Sequence, residues 1–204
     1  MSPAQLPVLP QALDEADADA IAELFNIGMG QPAAGLSEMI GEEVRLSVPA
    51  LAVSTRQRIA AGVGPERVCA VRETFTGPFA GEALLIFPEA GGLALVRRLI
   101  PGEGDTAGAE EQDALAEIGN IILNGCLASV SNLIDGEVSG SVPDYRAGPP
   151  GQLIGGAGEP VLFVRIDVAL ASGDARGQVL FLLDIASLDA FREAVRRAVE
   201  GLGG

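Results

Sequence analysis

Shifted by 94 residues, this chain matches itself. Residues 19–49 and 113–143 align without a gap, and 14 of the 31 positions are identical. Roughly two or three identities would arise by chance, so the match reads as an ancient duplication. The parallel continues downstream: VCAVR from Val68 matches VLFVR from Val161, and GEALLIF from Gly81 matches GQVLFLL from Gly177. Each repeat then reads as a long helix, a short strand, two longer strands and a closing helix. The leading helices are expected over 17–40 and 110–134, the second stopped by Asp135-Gly136. Weak strands are expected over 44–48 and 138–142, each closed by Pro49 or Pro143. Longer strands are expected over 66–76, 81–87, 160–171 and 177–183, and closing helices over 92–100 and 187–199. Segments 101–109 and 144–159, rich in Gly and Pro, read as loops. A half of about a hundred residues would leave sheet edges uncovered. The expectation is therefore an α/β (α+β) fold, one pseudo-twofold domain over 1–204 built from repeats at about 12–103 and 110–200.

The chain's missing residue types narrow its chemistry. All 13 of its basic residues are arginine; it has no lysine and no histidine, and its net charge is −15. No basic surface is available to displace counterions, which argues against nucleic acid as a partner. Without histidine there is no Ser-His or Cys-His nucleophile pair and no imidazole metal ligand. Without lysine there is no Schiff base and no P-loop lysine. Cys69 and Cys126 stand alone and read as packing residues. Any catalysis must use carboxylates, amides, hydroxyls or arginines. The most apolar run, 118–134, is interrupted by Asn120, Asn124, Ser129, Ser131 and Asn132, so membrane insertion is not expected. No basic start or apolar centre of a signal peptide opens the chain, and a cytoplasmic location is the default expectation.

At about 100° per residue, Ile21, Leu24, Phe25 and Gly28 share one stripe of the first helix, and Asp19, Glu23 and Asn26 the opposite side. The second helix repeats this with Leu115, Ile118 and Ile122 against Asp113, Glu117, Asn120 and Asn124. Glu and Asn three apart project side by side. An isolated Glu-x2-Asn is ordinary solvated surface. Its recurrence, with asparagine placed mid-helix at a cost of a few tenths of a kcal/mol each, raises the weight of a functional reading. On these residues alone, a solvated face and a functional face stay open. Gly28, Gly30, Gly35 and Pro32 read as close packing and a kink near Pro32 rather than a phosphate loop. Arg97-Arg98 and Arg196-Arg197 read as charges complementing helix C-termini.

The run ELFNIGMGQPAAGLS from Glu23 resembles the first motif of CheC chemotaxis proteins, and EIGNIILNGCLASVS from Glu117 resembles the second. The family pattern is Asp or Ser, three residues, Glu, two residues, Asn, twenty-two residues, Pro. Asp19, Glu23, Asn26 and Pro49 meet it, as do Asp113, Glu117, Asn120 and Pro143. The resemblance covers about residues 12–200 and extends to the CheX and FliY relatives. It implies long helices against an extended antiparallel sheet. It also implies a hydrolase acting on the phospho-aspartate of a CheY-like response regulator in two-component signalling. Asn26 and Asn120 would orient the attacking water, and Glu23 and Glu117 would anchor the regulator's lysine. No cofactor would be bound by this chain, Mg2+ being held by the regulator. Asp19 and Asp113 would support, and Pro49 and Pro143 would end strands. The alternative is a non-catalytic module that binds phosphorylated CheY, as FliM-like relatives do, or a regulator of the deamidase CheD.

Overall fold

The computed structural model describes residues 14–47, 50–100, 102–104, 106–156, 160–173 and 175–202. The first half holds helices α1 (Glu15–Gly28) and α2 (Gly30–Ile40), strands β1 (Val44–Leu46) and β2 (Ala50–Thr55), and helix α3 (Arg56–Val63). The hairpin β3 (Val68–Thr76) and β4 (Gly81–Pro88) and helix α4 (Glu89–Val96) complete it. The second half holds helix α5 (Ala109–Leu133), strands β5 (Ser139–Gly140) and β6 (Asp144–Gly148), and the short helix α6 (Pro150–Leu153). It ends with the hairpin β7 (Pro160–Leu170) and β8 (Arg176–Asp184), a 3-10 turn (Ile185–Ser187) and α7 (Leu188–Leu202).

All eight strands join one antiparallel sheet in the order β1-β7-β8-β4-β3-β5, with β2 also on β7 and β6 also on β3. The two long hairpins meet at a β4–β8 seam, where Leu84 faces Leu180 and Leu85 faces Val179. The short strands are exchanged between halves. β1 and β2 of the first half line β7 of the second, while β5 and β6 of the second line β3 of the first.

Period-two alternation decides which side chains meet which layer. One face of the sheet packs Cys69, Val71, Phe75, Leu85, Val164 and Phe181 beneath α1, α2, α4, α5 and α7. The other packs Val68, Ala70, Leu84, Phe163 and Leu182 beneath α3 and α6. Both cysteines are buried and free, as their isolation in sequence led us to expect. Helix α5 has the length and apolarity to cross a bilayer. Leu115, Ile118, Ile122, Leu123, Cys126, Leu127 and Val130 on it are instead buried in this core.

Five points of the sequence reading need adjustment. The first leading helix is two helices, because it breaks at Met29. Pro32 has no N–H to donate to the Gly28 carbonyl, and its ring crowds that position in a continuous helix; after the break it occupies the first turn of α2, where a missing donor is harmless. The first closing helix starts three residues early, at Glu89, and ends at Val96. Segment 144–159 is not a plain loop: it contains β6 and α6. Its counterpart 50–63, to which the sequence assigned nothing, contains β2 and α3. The weak second-half strand shrinks to two residues. Val48 and Pro49 lie outside the described residues. α5 stops as expected, with Asp135 at a φ of 50° followed by Gly136.

Candidate functional site

Two matched ion-pair clasps set the leading helices. Near the start of α1, Asp17 is buried and accepts from Arg196 Nε of α7 at 2.7 Å, with Arg192 of α7 against its other oxygen. At the start of α5, Glu111 is buried and accepts from Arg97 Nε at 2.7 Å. Glu111 also accepts from the Gly108 N–H, capping α5. The Arg97 guanidinium and this cap hold the Glu111 carboxyl below the usual carboxylate range. Asp17 and Glu111 are separated by the same 94-residue shift that relates the repeats. The closing helix of each half thus grips the leading helix of the other. The arginines at 97 and 196 therefore serve as ion-pair partners rather than bare dipole complements; Arg98 pairs with Glu42 and Arg197 with Glu193.

Held this way, α1 and α5 bury the stripes expected from their sequences. α1 and α2 run antiparallel to α5. A Cβ built on Gly28 would lie 3.2 Å from Ser129 Cβ, and one on Gly125 would lie 3.2 Å from Pro32 Cγ. Asn26 is near the Ser129 end of this crossing. Asn120 lies nine residues before Ser129 in sequence, which is about 13 Å along the helix axis. The predicted residues therefore form two separate pairs, Glu23 with Asn26 and Glu117 with Asn120, and the structure does not merge them into one constellation.

Glu23, Asn26 and Asp19 are exposed on α1, and Glu117 and Asp113 are exposed on α5. Asn120 is half-buried. It differs from Asn26 in having a partner: Asn124 Nδ2 donates to Asn120 Oδ1 at 2.7 Å. The position four residues after Asn26 is Gly30, which has no side chain to do the same. Pro143 is half-buried, immediately before β6, whose edge position suits a residue with no donor.

Beneath the second pair lies a group that the sequence reading missed. Glu73 of β3 shares the buried face with Val71 and Phe75, is 1% exposed, and has no hydrogen-bond partner for either oxygen among the described residues. Burial pushes its carboxyl up to about 7. Its alternation with Cys69, Val71 and Phe75 was the available signal. On the opposite face, burial works against the Glu82 charge. Hydrogen bonds from Arg72 and Arg56 outweigh it and hold that carboxyl low.

Among the described residues, no three His, Cys, Asp or Glu side chains gather to hold a metal. A groove of about 220 Å³ between α2 and α5, lined by Gln31, Pro32, Gly35, Ile121 and Gly125, lies between the two pairs. That is below the ~300–1,000 Å³ of ordinary ligand pockets. Glu23, Asn26 and Glu117 are exposed beside it and Asn120 is half-buried.

Residues 68–167 match a family model described as chemotaxis phosphatase CheX. The flagellar motor switch phosphatase FliY of Bacillus subtilis (strain 168) is 27% identical over 143 residues, covering 67% of this chain. The match spans only 38% of that relative's length. The crystal structure of Thermotoga maritima FliY superposes with a TM-score of 0.75 at 16% identity, covering 91% of this chain and 98% of that one. The FliM middle domain from H. pylori superposes at 0.67 and 11% identity, covering 89% and 99%. The fold, helices against an antiparallel sheet, is the one these structures share.

Proposed function

Since this chain belongs to the CheC/CheX/FliY family, we propose that it dephosphorylates the phospho-aspartate of a CheY-like response regulator. One observation carries the reading: both Glu–Asn pairs lie on the outward side of a helix pinned at its start. Docking would bring one helix across the regulator's active site, with Glu23 or Glu117 pairing with the regulator's lysine. The adjacent Asn26 or Asn120 carboxamide would enter the pocket and accept a hydrogen bond from one water. That water attacks phosphorus opposite the aspartyl oxygen. The new P–O bond forms as the acyl P–O bond breaks, the aspartate leaves as carboxylate, and the proton passes to phosphate or solvent. The regulator's own Mg2+ supplies charge neutralisation. Positioning and electrostatics dominate phosphoryl transfer, so a neutral amide suffices in a chain without histidine or lysine.

The test is release of phosphate from a CheY-like regulator charged with acetyl phosphate. Asn26→Ala with Asn120→Ala should slow dephosphorylation by at least a hundredfold without lowering the melting temperature. Full activity in that chain would sink the proposal. The likeness to the FliM middle domain favours one alternative, a module that binds the phosphorylated regulator without hydrolysing it. Binding with an unchanged phosphoryl lifetime would support that alternative. A role as partner of CheD is compatible with either.

A further inference from the structure

The two sites are not equivalent, and the difference lies under α5. Asn124 Nδ2 donates to Asn120 Oδ1, so Asn124 Oδ1 is turned the other way. That oxygen lies 3.2 Å from the point where a Cβ on Gly140 would sit, and Glu73 Oε2 lies 3.5 Å from the same point. Both oxygens therefore border the space that the missing Gly140 side chain leaves, and any larger residue there would press on both. Two acceptor oxygens bordering one small space repel unless one carries a proton. The carboxyl can carry it and the amide cannot.

We propose that Glu73 is a positioning residue of the second site: its carboxyl O–H donates toward Asn124, directly or through one water, and Asn124 in turn fixes the Asn120 carboxamide. Asn120 Nδ2 and the second lone pair of Oδ1 are then left facing the docked partner. The surroundings suit a neutral acid. Ala83 faces Glu73 across β4, Gly140 lies beside it on β5, and from α5 the ionisable neighbour is Cys126, whose buried thiol is pushed up to about 12. Among the described residues no arginine pairs with Glu73. Burial alone raises the carboxyl to about 7, so the donor form prevails below neutrality. The first site has no such relay. The residue four after Asn26 is Gly30, and the repeat aligns Glu73 with Ile166, a fully buried apolar residue of β7.

This inference rests on Asn120 acting as proposed above, and the experiment separates the two. Chains carrying Asn26→Ala, in which only the second site works, are compared with chains carrying Asn120→Ala, in which only the first does. The substrate is the same acetyl-phosphate-charged regulator from pH 6 to 8.5, so its own pH response cancels in the ratio. The second-site rate should fall relative to the first-site rate as pH rises through about 7. Glu73→Gln, which keeps a donor at every pH, should flatten that ratio near its low-pH value. Glu73→Leu should lower second-site kcat about tenfold at pH 6 and leave it flat as pH rises, while KM changes less than twofold. Asn124→Ala should lower it as much, and no further when combined with Glu73→Leu. A flat ratio in the parent, or Glu73→Leu with unchanged kcat, overturns the inference while leaving the phosphatase reading standing. Undiminished activity with both asparagines removed defeats the phosphatase reading itself.

Discussion

An unpaired carboxyl in an apolar layer has a thermodynamic signature apart from any catalytic one. In the unfolded chain Glu73 ionises near its ordinary value of 4.5; in the fold it does so at about 7. Between those values the folded state binds more protons, so stability falls as pH rises, levelling off above 7. The shift corresponds to about 3 kcal/mol. Urea unfolding of the parent at pH 5 and pH 8 should show a loss of that order, and Glu73→Leu should abolish it; equal slopes in both chains would refute the assignment. At this scale the sequence was half legible. Glu23, Asn26, Glu117 and Asn120 stood out because they occur twice at one spacing. Glu73 occurs once, its aligned counterpart is Ile166, and a single glutamate in a strand reads as surface until the neighbours at 71 and 75 are seen to be buried.

The elements that position the pairs are held by charge as well as packing. Asp17 is 2% exposed between two arginines of α7. Truncating it removes the buried member of the clasp and leaves Arg192 and Arg196 with their longer contacts to the exposed Asp14, a loss of about 1–3 kcal/mol. Asp17→Ala should therefore lower the urea midpoint clearly and weaken the first site more than the second, because α1 loses its anchor. Equal loss at both sites would argue for general destabilisation. The matching clasp at α5 has a pH sign opposite to Glu73. The carboxyl of Glu111 is held low, so its contribution is present above the ordinary carboxylate range and fades as pH falls through the depressed value. Glu111→Gln should shift acid unfolding to higher pH. Helix existence and spacing were readable from the apolar period, but the break at Met29 was placed near Pro32. A proline removes a hydrogen bond one turn upstream of itself, so the disruption precedes the residue that causes it. The short elements at 50–63 and 144–153 escaped because their patterns are too brief to show a period, and their pairing is with the other half.

That exchange gives the whole molecule its testable property. Each half carries a hairpin whose outer strand is lined by short strands of the other half, and each closing helix packs on the other's leading helix. A half on its own would expose the β4–β8 seam, an unpaired edge, and the core face beneath its missing partners. Nothing in a one-dimensional repeat says whether two copies stack side by side or interleave. The choice depends on strand pairing between residues more than a hundred positions apart, such as Val44 with Leu170. Interleaving predicts one cooperative unit. Leu84 and Leu180 face each other across the seam and are fully buried, so replacing either by alanine should cost about 2–5 kcal/mol. In a calorimetric scan, Leu84→Ala and Leu180→Ala should each move a single endotherm downward, with the two proposed sites lost together as it melts. A scan that splits into two endotherms, with one half's site surviving the other's melting, would mean that the halves fold as independent domains.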